Sequence, residues 1–459
     1  MEEPYTISTL NRANQEFRLL HLLPPSLKCQ TLAFMLATYD ISEYPIFSAL
    51  SYEWGPESDY TAIQVNGVDV CIRENLWHFL TRWSQDPQAQ FEPIWIDAIC
   101  INQSNTSERN HQVRMMRQIY SRAQGVYIWL GVNIPVTPDM LQTMLASKLG
   151  SGKMPNWSIV RHVEQQLQTF AYICEASYWR RMWIVQEIVL AQDALICWDS
   201  ASLGWSDFEL LWKNIAPWQA WNPPSENHWR DAPPPFRSRW HQDRRVRQLR
   251  AKVESICKNT STNIIKVKQS SDHHHRSLKW LLSTFDGSQC KDKRDKVYSL
   301  LGIATGVSQD FPVDYDKPTQ DVISDVLDQM ARIDVLGTPV GESQADIFFV
   351  HTLYRSLGLP VPPELHFVVG TTSHGRRPQF VTPKWLGKSD PIEREAIESN
   401  VLIAFPKASA KNNLSPEKSR SHIPITPDGQ SQSKLRSRRR APGAWRRRCY
   451  VAGTRPFYY

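Results

Sequence analysis

Residues 94–131 restrict this chain more than any other stretch. They open on the apolar run Ile94–Ile96 and close on "GVYIWLG" at 125–131, with "NTSERNHQVRMMRQIYSRA" at 105–123 between. In that middle segment Val113, Met116, Ile119, Tyr120 and Ala123 recur on one helical stripe. Asn105 or Ser107 is placed to cap the helix, and Glu108 falls in its first turn, beside the positive end of the helix dipole. Strand, helix and strand in so short a span define a βαβ unit, which needs two parallel strands and a right-handed crossover. The expected fold is therefore α/β, a parallel sheet with helices on both faces.

The flanking sequence extends this unit. "FRLLHLL" at 17–23 is a short apolar run compatible with an opening strand or helix. "PIFSALSYEWG" at 45–55 reads as a strand that breaks at Trp54-Gly55-Pro56. "AIQVNGVDVCI" at 62–72 alternates about Asn66-Gly67, a strong hairpin signal. "ENLWHFLTRW" at 74–83 sets Leu76, Phe79, Leu80 and Trp83 at helical spacing. Residues 132–160 read as loop, 163–191 as helix broken near Ser177, and 193–198 as strand. Further helical patterns cover 241–258, 277–303 and the end of 311–333.

At 459 residues the chain exceeds one compact core, so several segments are expected. We divide it into an N-terminal extension contributing to the first domain (1–44), the α/β domain (45–200), a Pro/Trp-rich connection (201–240), a mainly helical region (241–335), an irregular region (336–430) and a basic tail (431–459). The tail departs in composition from the rest. It holds nine Lys/Arg and no Asp/Glu, and removing those nine charges from the net +7 leaves the body at −2. A near-neutral body is not the basic, aromatic-interleaved face of a nucleic-acid reader, so no nucleic-acid partner is expected.

No run reaches the roughly 20 apolar residues of a membrane span, and the acidic start "MEEPYTIS" is not a secretory signal. A cytoplasmic protein without membrane attachment is the expectation. The eight cysteines are scattered with no paired spacing, which suits reduced thiols and not a metal site. The run "DHHHR" at 272–276 reads as a solvated loop, since three adjacent histidines cannot face one ion from a regular element. No metal or cofactor is expected.

Ligands in parallel α/β sheets collect at the carboxyl ends of the strands. Two polar clusters fall there: Ser51, Tyr52, Glu53 and Trp54, then Asp97, Cys100, Asn102 and Gln103. Glu187 stands apart in "WIVQEIVLA", a carboxylate between Ile184, Val185, Ile188 and Val189. From spacing alone each has a plain structural reading: Asp97 and Asn102 cap a turn and a helix, Ser51 and Tyr52 tie down a loop, and Glu187 lies on a helix surface. Cys100 has no neighbouring Lys or His to activate it and is expected to pack in the core.

The strings "ALSYEWG" (49–55), "IWIDAICINQ" (94–103), "ERNHQVRMMRQIYSRAQGVYIWLG" (108–131) and "YWRRMWIVQEIVLA" (178–191) resemble, in order and spacing, the heterokaryon incompatibility (HET) domain of filamentous fungi. "KDKRDKVYSLLGIA" (291–304) and "PVDYDKP" (312–318) resemble the helical region that follows that domain in large members. The resemblance implies an effector of fungal non-self recognition that triggers growth arrest or cell death, acting with a protein partner of that pathway and by self-association. A remoter similarity, in the order of an SY loop, an Asp-ended strand and a W…E helix, is to TIR domains. It implies a TIR-like N-terminal domain and cleavage of NAD as substrate, with Glu187 catalytic. Ser51, Tyr52 and Trp54 would then line the entrance, with Asp97 and Asn102 also binding substrate. The alternative is a non-catalytic signalling module of the same pathway, in which these residues are structural.

Overall fold

The computed structural model describes residues 4–5, 10–11, 14–24, 31–146, 157–199, 201–216, 239–270, 273–307, 311–335, 347–361, 368–370 and 379–381. The chain divides into two compact units, Met1–His366 with Arg448–Tyr459, and Phe367–Arg447. In the second unit the described part is a two-stranded antiparallel ladder, Val368–Gly370 against Gln379–Val381. The basic tail and most of 336–430 lie outside the described residues.

The first unit is organised by a nine-stranded sheet. Its strands are β1 (Glu16–Leu22), β2 (Ala33–Asp40), β3 (Ser48–Tyr52), β4 (Tyr60–Val65), β5 (Val68–Arg73), β6 (Ile94–Trp95), β7 (Val126–Trp129), β8 (Ala194–Cys197) and β9 (Ser202–Gly204), in the order β5-β4-β2-β1-β6-β3-β7-β8-β9. β6, β3, β7 and β8 run parallel to one another. All five residues of β3 are buried, as expected of a central strand covered on both faces.

The sheet as a whole is mixed and not purely parallel. β1 pairs antiparallel with both β2 and β6, and hairpins β4–β5 and β8–β9 close the two edges. The β4–β5 turn is the one the Asn66-Gly67 pair demands, with φ of 52° and 78°, left-handed values that Asn and Gly tolerate. The two strands of the βαβ unit are parallel but not neighbours: β3 lies between them, so the crossover helix spans a strand formed earlier in the chain.

Helices flank this sheet: α1 (Glu74–Trp83), a single turn α2 (Asp97–Cys100), α3 (Thr106–Arg122), α4 (Pro138–Ala146), α5 (Trp157–Cys174), α6 (Ile184–Leu190) and α7 (Trp205–Ile215). Asn105 caps α3 by accepting from the Glu108 N–H at 3.1 Å. α4 occupies a stretch that reads as loop. Thr137 Oγ1 accepts the Met140 N–H at 3.3 Å and Pro138 takes the first helical position, where its missing N–H costs nothing. Strand β2 is a second element its sequence hides, and β9 with α7 continues regular structure past residue 200.

The helical region follows as α8 (Arg239–Cys257), α9 (Thr260–Gln269), α10 (Leu278–Thr284), α11 (Asp295–Leu301), α12 (Thr319–Val335) and α13 (Ile347–Ser356). The histidine run forms one 3-10 turn, His273–Arg276, in which His275 Nδ1 meets Ser270 Oγ at 3.0 Å. No helix among the described residues is long and apolar enough to cross a membrane.

Candidate functional site

The candidate site forms where the parallel strands end. The register pairs Ala49 of β3 with Trp95 of β6, so two residues further on Ser51 and Asp97 come level at the carboxyl edge. Ser51 is buried, and its Oγ donates to the Glu187 carboxylate of α6. On its other side the same Oγ lies 2.5 Å from the Tyr178 hydroxyl. A serine and a glutamate separated by 136 residues are thus joined inside the protein.

Glu187 is 2% exposed. The nearest cation is Arg181, whose Nη1 stands 3.9 Å from Glu187 Oε2, too far for a direct hydrogen bond. The same guanidinium donates to the Tyr52 carbonyl and is 19% exposed, so it links the buried carboxylate to the surface. Burial pushes the Glu187 carboxyl up to about 7; Arg181 and the Ser51 hydrogen bond pull against this, and Asp97 adds to it. A carboxyl held near neutrality can exist in either protonation state at physiological pH, an arrangement found often at reactive sites.

Asp97 opens α2 and accepts from Trp54 Nε1 at 3.0 Å and from the Ala98 N–H at 2.7 Å. Its carboxyl is raised by burial, against the opposing pull of Arg181 and the Trp54 hydrogen bond. Arg73 lies over the Trp54 ring, its guanidinium carbon 5.4 Å from the centroid. Glu187 and Asp97 therefore share one arginine. Tyr52 joins this group through its main chain, while its ring is buried in the core with its phenol pushed far up by burial.

Asn102 is directed elsewhere. Its Oδ1 accepts from Ser104 Oγ at 2.6 Å and its N–H donates to Glu108 at 2.7 Å. Its loop belongs to a second buried centre, in which Arg18 of β1 donates to both oxygens of Glu108 at 2.6 and 3.1 Å and to the Cys100 carbonyl at 3.1 Å. Cys100 is fully buried with its thiol pushed up to about 12, which keeps it protonated and unreactive.

One turn covers Glu187. Between α5 and α6 the segment 177–181 lays successive side chains on the end of β3: Ser177 Oγ donates to Glu53, Tyr178 meets Ser51, and Arg181 meets the Tyr52 carbonyl. Outside this turn lies a cleft of about 370 Å³ lined by Glu53, Gly55, Asn75, His78, Gly131 and Ser177. Asn75 braces its wall by donating to the Glu53 carbonyl at 2.5 Å and accepting from Trp129 Nε1 at 2.9 Å. Gly55 and Gly131 turn the chain there at φ of 79° and 101°, which only glycine adopts without strain. Glu187 does not line this cleft. Tyr178 and Arg181 complete the centre without any local signal in the sequence; only the unusual run "YWRRMW", aromatic and basic ahead of an apolar helix, marks their neighbourhood.

The family model described as heterokaryon incompatibility protein (HET) matches residues 47–187, from the residue before β3 to the glutamate itself. Heterokaryon incompatibility protein 6, OR allele, of Neurospora crassa is 28% identical over 240 residues, covering 42% of this chain and 34% of that protein. The chain thus spans about a third of the length of the curated relative it matches. No solved structure matches the chain.

Proposed function

Since residues 47–187 match the heterokaryon incompatibility family model, we propose that the chain is an effector of fungal vegetative incompatibility. In this reading it triggers growth arrest or cell death by cleaving the nicotinamide–ribose bond of NAD, with Glu187 as the catalytic carboxylate. The observation that carries the reading is the Ser51–Glu187 hydrogen bond at the carboxyl edge of a parallel sheet, with Arg181 and Asp97 grouped around it.

The chemistry suits these groups. Breaking an N-glycosidic bond builds oxocarbenium character on the ribose, which an adjacent anion stabilises or traps. Nicotinamide leaves neutral and needs no proton from an acid. Ser51 orients the carboxylate, and Arg181 favours its ionised form. Trp54 supplies an aromatic face near the entrance. The SY–Asp–W…E order shared with TIR domains supports the same assignment. Because Glu187 is sealed beneath residues 177–181, the cleavage reading requires that turn to swing outward and join the carboxylate to the cleft beside it. In this reading a pathway partner or self-association acts upstream of that opening, which the resemblance to non-self recognition effectors supports.

The seal itself favours a second reading, a non-catalytic signalling module in which the turn stays shut and Ser51–Glu187 is a core hydrogen bond. Nicotinamide release by the full chain, alone and after induced oligomerisation, separates the two. Release by wild type that Glu187→Gln abolishes, with circular dichroism unchanged, supports the enzyme. Equal release by both proteins would sink the assignment of Glu187, and no release by either favours the signalling module.

A further inference from the structure

The helix that carries Glu187 has seven residues, too short to be stable by itself, and at its C-terminal end the Ala191 N–H answers the Ile188 carbonyl. Residues beyond 187, where the family match ends, hold it from several sides. Lys268 of α9 donates through Nζ to the carbonyls of Ile188 at 2.9 Å, Val189 at 3.4 Å and Ala191. A lysine ammonium at the negative end of a helix dipole is the favourable arrangement. At the other end, Gln289 bridges the chain entering α6: its N–H donates to the Arg180 carbonyl, and its carbonyl accepts from the Met182 N–H at 2.8 Å. From α11's end, the Gly302 N–H donates to Gln186 Oε1 at 3.2 Å. A Cβ at 302 would come within 2.5 Å of that oxygen, and Gln186 is buried with little room to yield.

We propose that Lys268 is a positioning residue for Glu187, through which the helical region completes a site that the matched domain does not hold unaided. The catalytic half of this statement rests on the NAD-cleavage reading above; the grip on α6 does not. Capping three carbonyls fixes the helix along its axis, and Glu187 lies one residue before the first of them. A shift of α6 would move its carboxylate off Ser51, the contact that orients it.

The test uses the full chain with Lys268→Met, which keeps the aliphatic stem, and Lys268→Arg, which keeps the charge. Amide hydrogen exchange should accelerate roughly 10-fold in α6 of Lys268→Met while β3 and β7 stay at wild-type rates, and Lys268→Arg should restore protection. In nicotinamide release, Lys268→Met should lower kcat with KM unchanged, and Lys268→Arg should recover it. Wild-type exchange across α6 in Lys268→Met, or exchange raised equally over the whole sheet, would overturn the proposal. A fall confined to KM would do the same. If wild type releases no nicotinamide, the NAD reading fails and the exchange pattern alone decides the grip on α6. Gly302→Ala approaches the same helix through Gln186 and should also accelerate exchange in α6; should Lys268→Met not fold, the shorter, uncharged Lys268→Gln replaces it, and wild-type exchange across α6 in that variant overturns the proposal.

Discussion

Two glutamates lie buried near the carboxyl edge of the same sheet, and both have an arginine nearby. Glu108 is gripped by Arg18 through two hydrogen bonds of 2.6 and 3.1 Å, and it accepts a third from the Asn102 N–H at 2.7 Å. Glu187 has one hydroxyl and an arginine that stops at 3.9 Å. The first arrangement satisfies a desolvated charge in full, as a bidentate pair does. The second leaves the carboxyl short of partners, and burial pushes it up to about 7. Identical side chains at one edge of one sheet thus take different roles: Glu108 ties β1 to α3, whereas Glu187 is left ready to change protonation state.

Glu108→Gln strands a buried guanidinium and should lower the free energy of unfolding by about 3–5 kcal/mol, measured by urea denaturation. Glu187→Gln should act in the opposite direction at neutral pH. A carboxyl raised from its ordinary value to about 7 binds a proton in the folded state that the unfolded chain has released, so its contribution is fully present at acid pH and is lost as pH rises to about 7. Removing that liability should make Glu187→Gln more stable than wild type by on the order of 2–4 kcal/mol above pH 7, with the advantage shrinking towards pH 4.5. Denaturation curves at pH 4.5, 6 and 8 check both sign and window; a pH-independent difference would mean Glu187 is not the group that titrates. The smallest effect is expected at Trp54→Phe, which removes the 3.0 Å donor to Asp97 and should cost about 1–2 kcal/mol. Its value lies in sharpening the contrast, because an Asp97 left less satisfied should push Glu187's titration lower as Asp97 itself becomes more protonated.

Which of these features a reader could find in the sequence follows from how local their causes are. α1, α3 and the Asn66-Gly67 hairpin rest on side-chain periods and turn residues inside their own segments, and they lie where the sequence places them. β2 escaped because "TLAFMLATYD" is evenly apolar, and only its pairing with β1 over seven residues makes it a strand. Strand order was also hidden: nothing in 94–131 says that β3, formed earlier, inserts between its two strands. At the site, Glu187 was legible as a carboxylate in an apolar helix, and Ser51 as a polar residue at a strand end. Tyr178 was not, because its partner Ser51 is 127 residues away, and neither was Arg18, 90 residues from Glu108. Asn102, which the TIR resemblance assigns to substrate, turns its side chain into the loop that Glu108 organises, because its partners there lie within a few residues.

Glu187 as a reactive carboxylate is tested most directly by the pH dependence of nicotinamide release from NAD by the full chain. On the proposed cleavage the ionised form would stabilise the oxocarbenium, so release should rise as pH passes through about 7 and be absent at every pH in Glu187→Gln. Release by Glu187→Gln at the wild-type rate, with the same pH profile, would contradict it.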